Sequence, residues 1–253
     1  MILITGASMG IGRAMARVWG ARGETIVLAA RRRPALEETA REVEALGGNA
    51  IVIAGDVTDS AHRAELAAVT KDGLAVLVNN AGRGFYAPFE SIDPEELRRL
   101  FELNVVAPLA LTQVLLPALE AKNGTIVMMS SIAGIVAAPK LGGYAATKFA
   151  LEGISMAMRA ELRGRGVRVV VIRPGPVATG FRENASKGAG VTEYDAADPN
   201  AQKAEDVARR VVRAVDRGTP VVETSNLVRL ADAALRFAPP LLRRSLARMA
   251  SKP

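Results

Sequence analysis

The 253-residue sequence predicts a doubly wound α/β fold, a three-layer sandwich with helices on both faces of a seven-stranded parallel sheet. Three observations lead there. Short β-branched runs alternate with longer amphipathic stretches, the order that βαβ units impose. The runs are continuously apolar rather than alternating, which suits strands buried on both faces. No linker-like stretch interrupts the series, so one domain spanning residues 1–253 is expected.

The elements follow in order. Residues 2–5, 25–30, 50–54 and 74–78 read as strands, separated by helical patterns at 11–21, 35–46 and 60–69. "SIDPEELRRLFELN" opens the next helix with Asp93 as N-cap, Pro94 at the first helical position and acids in the first turn, where the helix dipole favours negative charge. That helix is expected to run to about residue 119. "GTIVMMSS" supplies the fifth strand, residues 143–163 a long helix, "VRVVVIRPG" the sixth strand and "TPVVET" the seventh. The irregular segment 180–202 follows the sixth strand, at the edge where open parallel sheets bind ligands, and reads as a substrate lid.

Composition narrows the function classes. The chain is 49% hydrophobic and 23% charged, as expected of a globular protein able to bury a full core. It has no cysteine, which removes disulfides and thiolate-bound metals, and its first residues pass into a glycine turn without a signal-peptide pattern, so a cytoplasmic location is expected. The nearly apolar run 105–119 contains two prolines and falls short of the about 18 residues that mark a membrane span. Its net charge of +7 comes from scattered arginines with no aromatic-and-basic ladder, so nucleic acid is not an expected partner. His62, the single histidine, lies at a polar helix start and is expected to be exposed, which sets aside serine–histidine hydrolysis and histidine-bound metal.

"ITGASMGIG" places Gly6, Gly10 and Gly12, with Ser8 and Ile11, between the first strand and the first helix, where backbone can approach a pyrophosphate resting on the helix N-terminus. With Thr5 ahead, the spacing Gly-x-x-x-Gly-x-Gly resembles the short-chain dehydrogenase/reductase family, the single-domain type with a Rossmann-type fold. "NNAG" at 79–82, supplying Asn80, Ala81 and Gly82, matches that family's second signature. In "YAATKFALEG", Tyr144 stands four residues before Lys148, on one helix face. Ser131 lies thirteen residues before Tyr144, and Asn104 in "FELNVVAPL" is the fourth match. The resemblance covers about residues 2–223.

The resemblance implies an oxidoreductase that interconverts a carbonyl and an alcohol, with Asn104, Ser131, Tyr144 and Lys148 as its catalytic set. Tyr144 is then the general acid/base, its phenol, ordinarily near about 10, made acidic by the Lys148 ammonium. Ser131 stabilises charge on the substrate oxygen, the alternative being a helix cap. Asn104 holds a water that connects Lys148 to solvent, the alternative being a local helix kink. Lys148 also holds the nicotinamide ribose, Asp56 and Val57 contact the adenine, Pro174 and Gly175 turn the chain, and Val177 and Thr179 meet the carboxamide. The second strand ends on Ala30 rather than an acid, and Arg31 suits a 2′-phosphate, with Arg32 or Arg33 adding weaker attraction. NADP(H) is therefore expected in preference to NAD(H), which stays possible; Met9, where many NADP-using relatives carry a basic residue, adds nothing to that preference. The competing reading is a catalytically silent dinucleotide sensor, against which the intact catalytic set argues.

Phe85, Ile132, Leu141, Phe181 and Tyr194 make the expected pocket largely apolar, with no charged group to announce an acidic substrate, so a hydrophobic ketone, aldehyde or secondary alcohol is expected. A homodimer or homotetramer is implied, paired through the helices at 93–119 and 143–163. The segment 224–253 carries six basic residues against Asp232 and a Pro239-Pro240 break. It reads as a basic amphipathic extension that packs over the substrate mouth or a neighbouring subunit, in preference to a peripheral membrane contact.

Overall fold

The computed structural model describes residues 1–188, 201–240 and 246–247. Strands β1 (Ile2–Thr5), β2 (Thr25–Ala30), β3 (Asn49–Ala54), β4 (Val76–Asn79), β5 (Thr125–Met129), β6 (Arg168–Arg173) and β7 (Val221–Glu223) form one sheet in the order β3-β2-β1-β4-β5-β6-β7. Every pairing is parallel, and Ile2 faces Ile26 on one side and Val76 on the other. The strand order reverses between β1 and β4, which opens a crevice at their carboxyl ends.

The connecting helices are α1 (Gly10–Gly20), α2 (Arg33–Ala45), α3 (Ser60–Thr70), α4 (Pro94–Phe101), α5 (Ala107–Glu120), α6 (Gly142–Leu162), α7 (Ala204–Arg217) and α8 (Asn226–Phe237). Because successive strand residues point to opposite faces, Ile4 and Leu28 join one core with Met15, Trp19, Val43 and Val211, while Leu3 and Val27 join a second with Leu66, Leu111, Leu115 and Leu151. Each strand therefore supplies both layers, which is why its sequence is apolar throughout.

The helix expected over 93–119 starts as anticipated, with the Asp93 carboxylate accepting the Glu95 N–H at 3.0 Å. Its interior departs from expectation. A π-helical segment, Glu102–Val106, lies between α4 and α5 and turns Asn104 into the core, where it is 1% exposed. By length and composition the run Pro94–Glu120 could cross a membrane, but here Leu111, Leu115 and Leu119 are buried against the sheet.

Both described ends of the expected lid are tied to the crevice rim. Ser186–Lys187 pairs with Phe85–Tyr86, and Gln202–Lys203 with Val177–Ala178. Residues 189–200, including Tyr194, lie outside the described residues, as do 241–245 and 248–253 of the C-terminal extension. The extension's described part is α8, whose Asp232 pairs with Arg173 of β6 at 3.4 Å and with Arg236 at 2.8 Å.

Candidate active site

A cleft of about 720 Å³ occupies the crevice at the carboxyl ends of the central strands. At one end lies the glycine turn, where Gly6 and Gly10 have φ of +66° and +55°, a left-handed backbone that favours glycine. Gly12 differs from expectation: it does not line the cleft, and a Cβ there would lie 2.3 Å from the Gly6 carbonyl oxygen. Its role is to let α1 close on the turn. The Thr5 hydroxyl donates to the Val78 carbonyl at 3.1 Å and accepts the Asn80 and Ala81 N–H groups, each at 3.0 Å. The Asn80 amide donates back to the Thr5 carbonyl at 2.9 Å. Thr5 and Asn80 thus stitch the two signature turns together.

Helix α1 has no side-chain cap and no acid in its first turn, so its N-terminal N–H groups and dipole are left for an anion. Ser8 and Ile11 line the same end, and that chemistry fits a pyrophosphate. Arg31 and Arg32 line the rim, Arg32 lying 3.6 Å from the Met9 sulfur, whereas Arg33 begins α2. Asp56 and Val57 form the wall beside them. Burial alone would raise the Asp56 carboxyl, but hydrogen bonds from the Thr58 N–H and hydroxyl, with Arg31 nearby, hold it below its ordinary value.

His62 corrects the sequence reading: it is 6% exposed and lines this wall. Its ring packs on Gly55, where a Cβ would sit 2.2 Å from Nδ1. The polar surroundings in sequence concealed this, and Gly55, the residue just before "DVTD", was the available signal.

At the other end, Ser131 follows β5 and caps the short turn Ile132–Gly134, its hydroxyl accepting the Ala133 N–H at 3.1 Å. The cap set aside in the sequence reading is therefore real, and the same hydroxyl lies beside Tyr144, whose proton affinity it lowers. Lys148, one turn along α6, places Nζ 5.7 Å from the Tyr144 ring centre and donates to the Met129 carbonyl at 2.8 Å.

The expected acidification of the phenol is not what this arrangement produces. Burial pushes Tyr144 up to about 12, opposed by the Ser131 hydrogen bond, and burial pushes Lys148 down to about 8, opposed by the Glu152 charge. Withdrawing water from a phenolate is the larger effect here, and the Ser131 hydroxyl offsets it only in part.

Asn104 also differs from the simplest expectation. Its carbonyl oxygen accepts the Arg83 N–H at 2.9 Å, and its amide donates to the Arg83 carbonyl at 2.9 Å and to the Thr147 hydroxyl at 3.2 Å. The amide clamps the residue after Gly82, while the π-helical irregularity is the kink weighed as the alternative. A Cβ on Gly82 would lie 3.1 Å from the Asn104 oxygen and 3.8 Å from Lys148 Nζ, so backbone passes directly beside both.

Pro174, Gly175, Val177 and Thr179 line the facing wall with Ala81 and Gly82. On the substrate side Ile132, Leu141 and Phe181 line the cleft, the Phe181 ring 5.8 Å from that of Tyr144. Phe85 does not: it is 1% exposed and packs with Leu97 and Leu100, and its neighbour Tyr86 lines the cleft instead, since adjacent strand residues face opposite ways. The mouth is also more charged than expected, lined by Arg83, Arg99, Glu102 and Arg182. Arg83 pairs with Glu96 at 2.5 Å. Among the described residues no group of three His, Cys, Asp or Glu side chains could hold a metal.

Comparison with known proteins agrees with this geometry. A family model described as short chain dehydrogenase matches residues 1–190. The chain is 39% identical over 189 residues to the uncharacterized oxidoreductase YbbO of Escherichia coli strain K12, covering 74% of this chain and 69% of that protein. It is also 39% identical over 197 residues to the NADPH-dependent 3-dehydrocapnine reductase of Ornithobacterium rhinotracheale, covering 74% and 68%. A short chain dehydrogenase from Burkholderia cenocepacia, solved in complex with NADP, superposes with a TM-score of 0.84 at 25% identity over 100% of this chain and 97% of that chain. The glycine turn stitched to Asn80, the Ser131–Tyr144 hydroxyl pair with Lys148 beside it, and a family match over three quarters of the sequence lead to one conclusion: this chain is an oxidoreductase of the short-chain dehydrogenase/reductase family.

Proposed function

We propose that the protein is an NADP(H)-dependent enzyme that interconverts a carbonyl and an alcohol on a hydrophobic substrate, with Tyr144 as general acid/base. The observation that carries this reading is that Ser131, Tyr144 and Lys148, the last with Nζ 5.7 Å from the Tyr144 ring centre, line one cleft whose far end presents Arg31 and Arg32. NADP is named for the Burkholderia structure and NADPH for the Ornithobacterium reductase, which supports the same preference here.

When bound, the nicotinamide supplies hydride chemistry. The chain's residues do the rest. The backbone of Gly6, Ser8 and Gly10 and the α1 N-terminus hold the pyrophosphate, and Arg31 pairs with the 2′-phosphate. Ser131 and Tyr144 donate hydrogen bonds to the substrate oxygen, and Tyr144 passes its proton to that oxygen in reduction or accepts one in oxidation. A phenol pushed up to about 12 holds its proton at neutral pH, as an acid in the reducing direction must, but burial also weakens it as a donor, so the cation beside it matters. Lys148 places a cation near the tyrosinate left behind, and Asn104 fixes the Arg83 turn beside it. Ile132, Leu141 and Phe181 exclude water around the reacting carbon. Val106 and Val114, with Phe149 and Met156 of α6, are exposed and form the face through which subunits pair.

The test is a screen of ketones, aldehydes and secondary alcohols, following absorbance of the reduced nicotinamide. Tyr144→Phe is expected to keep NADPH binding by fluorescence titration and to lose turnover about 10³-fold. Unchanged turnover in that variant would remove Tyr144 from the mechanism.

A further inference from the structure

We propose that the protein has a second binding pocket, separate from the cofactor cleft, built for the phosphate group of a small molecule. It lies between α7 and the N-terminus of α8 and measures about 450 Å³. Arg209, Arg210 and Arg213 of α7 line it. The acid in this lining, Asp206, pairs with Arg209 at 2.5 Å, and among the described residues Arg210 and Arg213 show no ion pair.

The opposite wall supplies further donors. Helix α8 is 12 residues long and has no acid in its first turn, and its cap is weak, with Ser225 Oγ accepting the Val228 N–H at 3.4 Å. Its positive end therefore faces the pocket unneutralised. Thr224, 1% exposed, lines the same pocket with a buried hydroxyl that has no hydrogen-bond partner. The Gln202 side-chain nitrogen is likewise buried without one. Buried polar groups are nearly always satisfied in native proteins, so two orphans on one wall point to a missing acceptor.

Guanidinium, hydroxyl, amide and helix N–H groups all donate, and a phosphate offers the acceptor oxygens that answer them together. The residues after Asp232 carry Arg236, Arg243, Arg244, Arg248 and Lys252 and no acid, so the chain's own extension has the wrong charge to fill this pocket. The pocket backs onto the cofactor cleft: a Cβ on Gly175 would lie 2.8 Å from Ser225 Oγ and 3.6 Å from the Gln202 nitrogen.

Calorimetric titration of the full chain, with the cofactor cleft saturated by NADPH, tests the site. The probes are inorganic phosphate and glycerol phosphate. Saturable binding that weakens with added salt is expected, and tighter binding of the ester would identify a phosphorylated metabolite rather than the free ion as the ligand. Arg210→Ala combined with Arg213→Ala is expected to weaken it at least tenfold while NADPH affinity is unchanged. Thr224→Val, which removes the orphan hydroxyl without changing shape, is expected to weaken phosphate severalfold while leaving thermal stability unchanged or raised. Absence of saturable binding by the NADPH-saturated protein, or binding indifferent to both variants, would overturn the proposal.

Discussion

At the glycine-turn end of the cleft most of the geometry comes from the first 58 residues: left-handed Gly6 and Gly10, the open N-terminus of α1, and Asp56 held by Thr58. At the end where the proposed catalytic set lies it is side chains brought from three separate elements, Asn104, Ser131, and Tyr144 with Lys148, each buried or half-buried. The first region can be read as a contiguous string because its chemistry is a matter of allowed φ and close approach. The second depends on how much water remains around two titratable groups, which no string reports.

Three substitutions sharpen that contrast. The largest effect is expected from Gly12→Ala, whose methyl would meet the Gly6 carbonyl at 2.3 Å and the Asn80 amide at 2.7 Å. Both contacts belong to the stitched turns and cannot swing away, so a loss of about 3 kcal/mol in urea unfolding is expected, with NADPH binding falling alongside. A neutral result would mean the glycine-turn end is less tightly packed than its backbone suggests.

Lys148→Met probes the other end. The folded-state value of Lys148, about 8, lies below its ordinary 10.5, so the folded protein releases this proton first and its stability rises with pH across that interval. Below about pH 8 the buried charge opposes folding in full. Lys148→Met should therefore stabilise the cofactor-free protein by about 2 kcal/mol at pH 7, a gain that disappears towards pH 10.5, while turnover is lost. Thermal unfolding at pH 7 and pH 10 checks this; a gain independent of pH would mean that packing, not charge burial, is at issue.

The smallest effect is expected at the exposed rim. Arg31→Asp should move the ratio of kcat/KM for NADPH over NADH by about tenfold or more towards NADH, because it removes one charge-assisted contact and adds a repelling one. An unchanged ratio would transfer the role to Arg32, which is held against Met9.

Much of the fold was legible residue by residue. Leu3 beside Ile4, and Val27 beside Leu28, declared strands covered on both faces; Asp93 and Pro94 declared a helix start that the structure reproduces. Where the reading failed, the cause was a partner distant in sequence. His62 looked exposed among polar neighbours because the surface that covers it is the bare backbone of Gly55. Phe85 was placed in the pocket, where Tyr86 lies instead, because a two-residue strand offers no alternation from which to tell its faces. The π-helical segment at Asn104 is set by hydrogen bonds to Arg83 and Thr147, 21 residues before it and 43 after it, which helix propensity does not encode.

By itself the sequence determined the sheet, its layering and the left-handed glycine turn, since continuous apolar runs and residues without a Cβ restrict the backbone wherever they occur. Tertiary structure alone decided the proton affinities of Tyr144 and Lys148, the charged mouth and the donor-lined pocket beside α8. Those properties belong to the dielectric surroundings and to groups that converge from separate elements, and they exist only after the chain has closed around them.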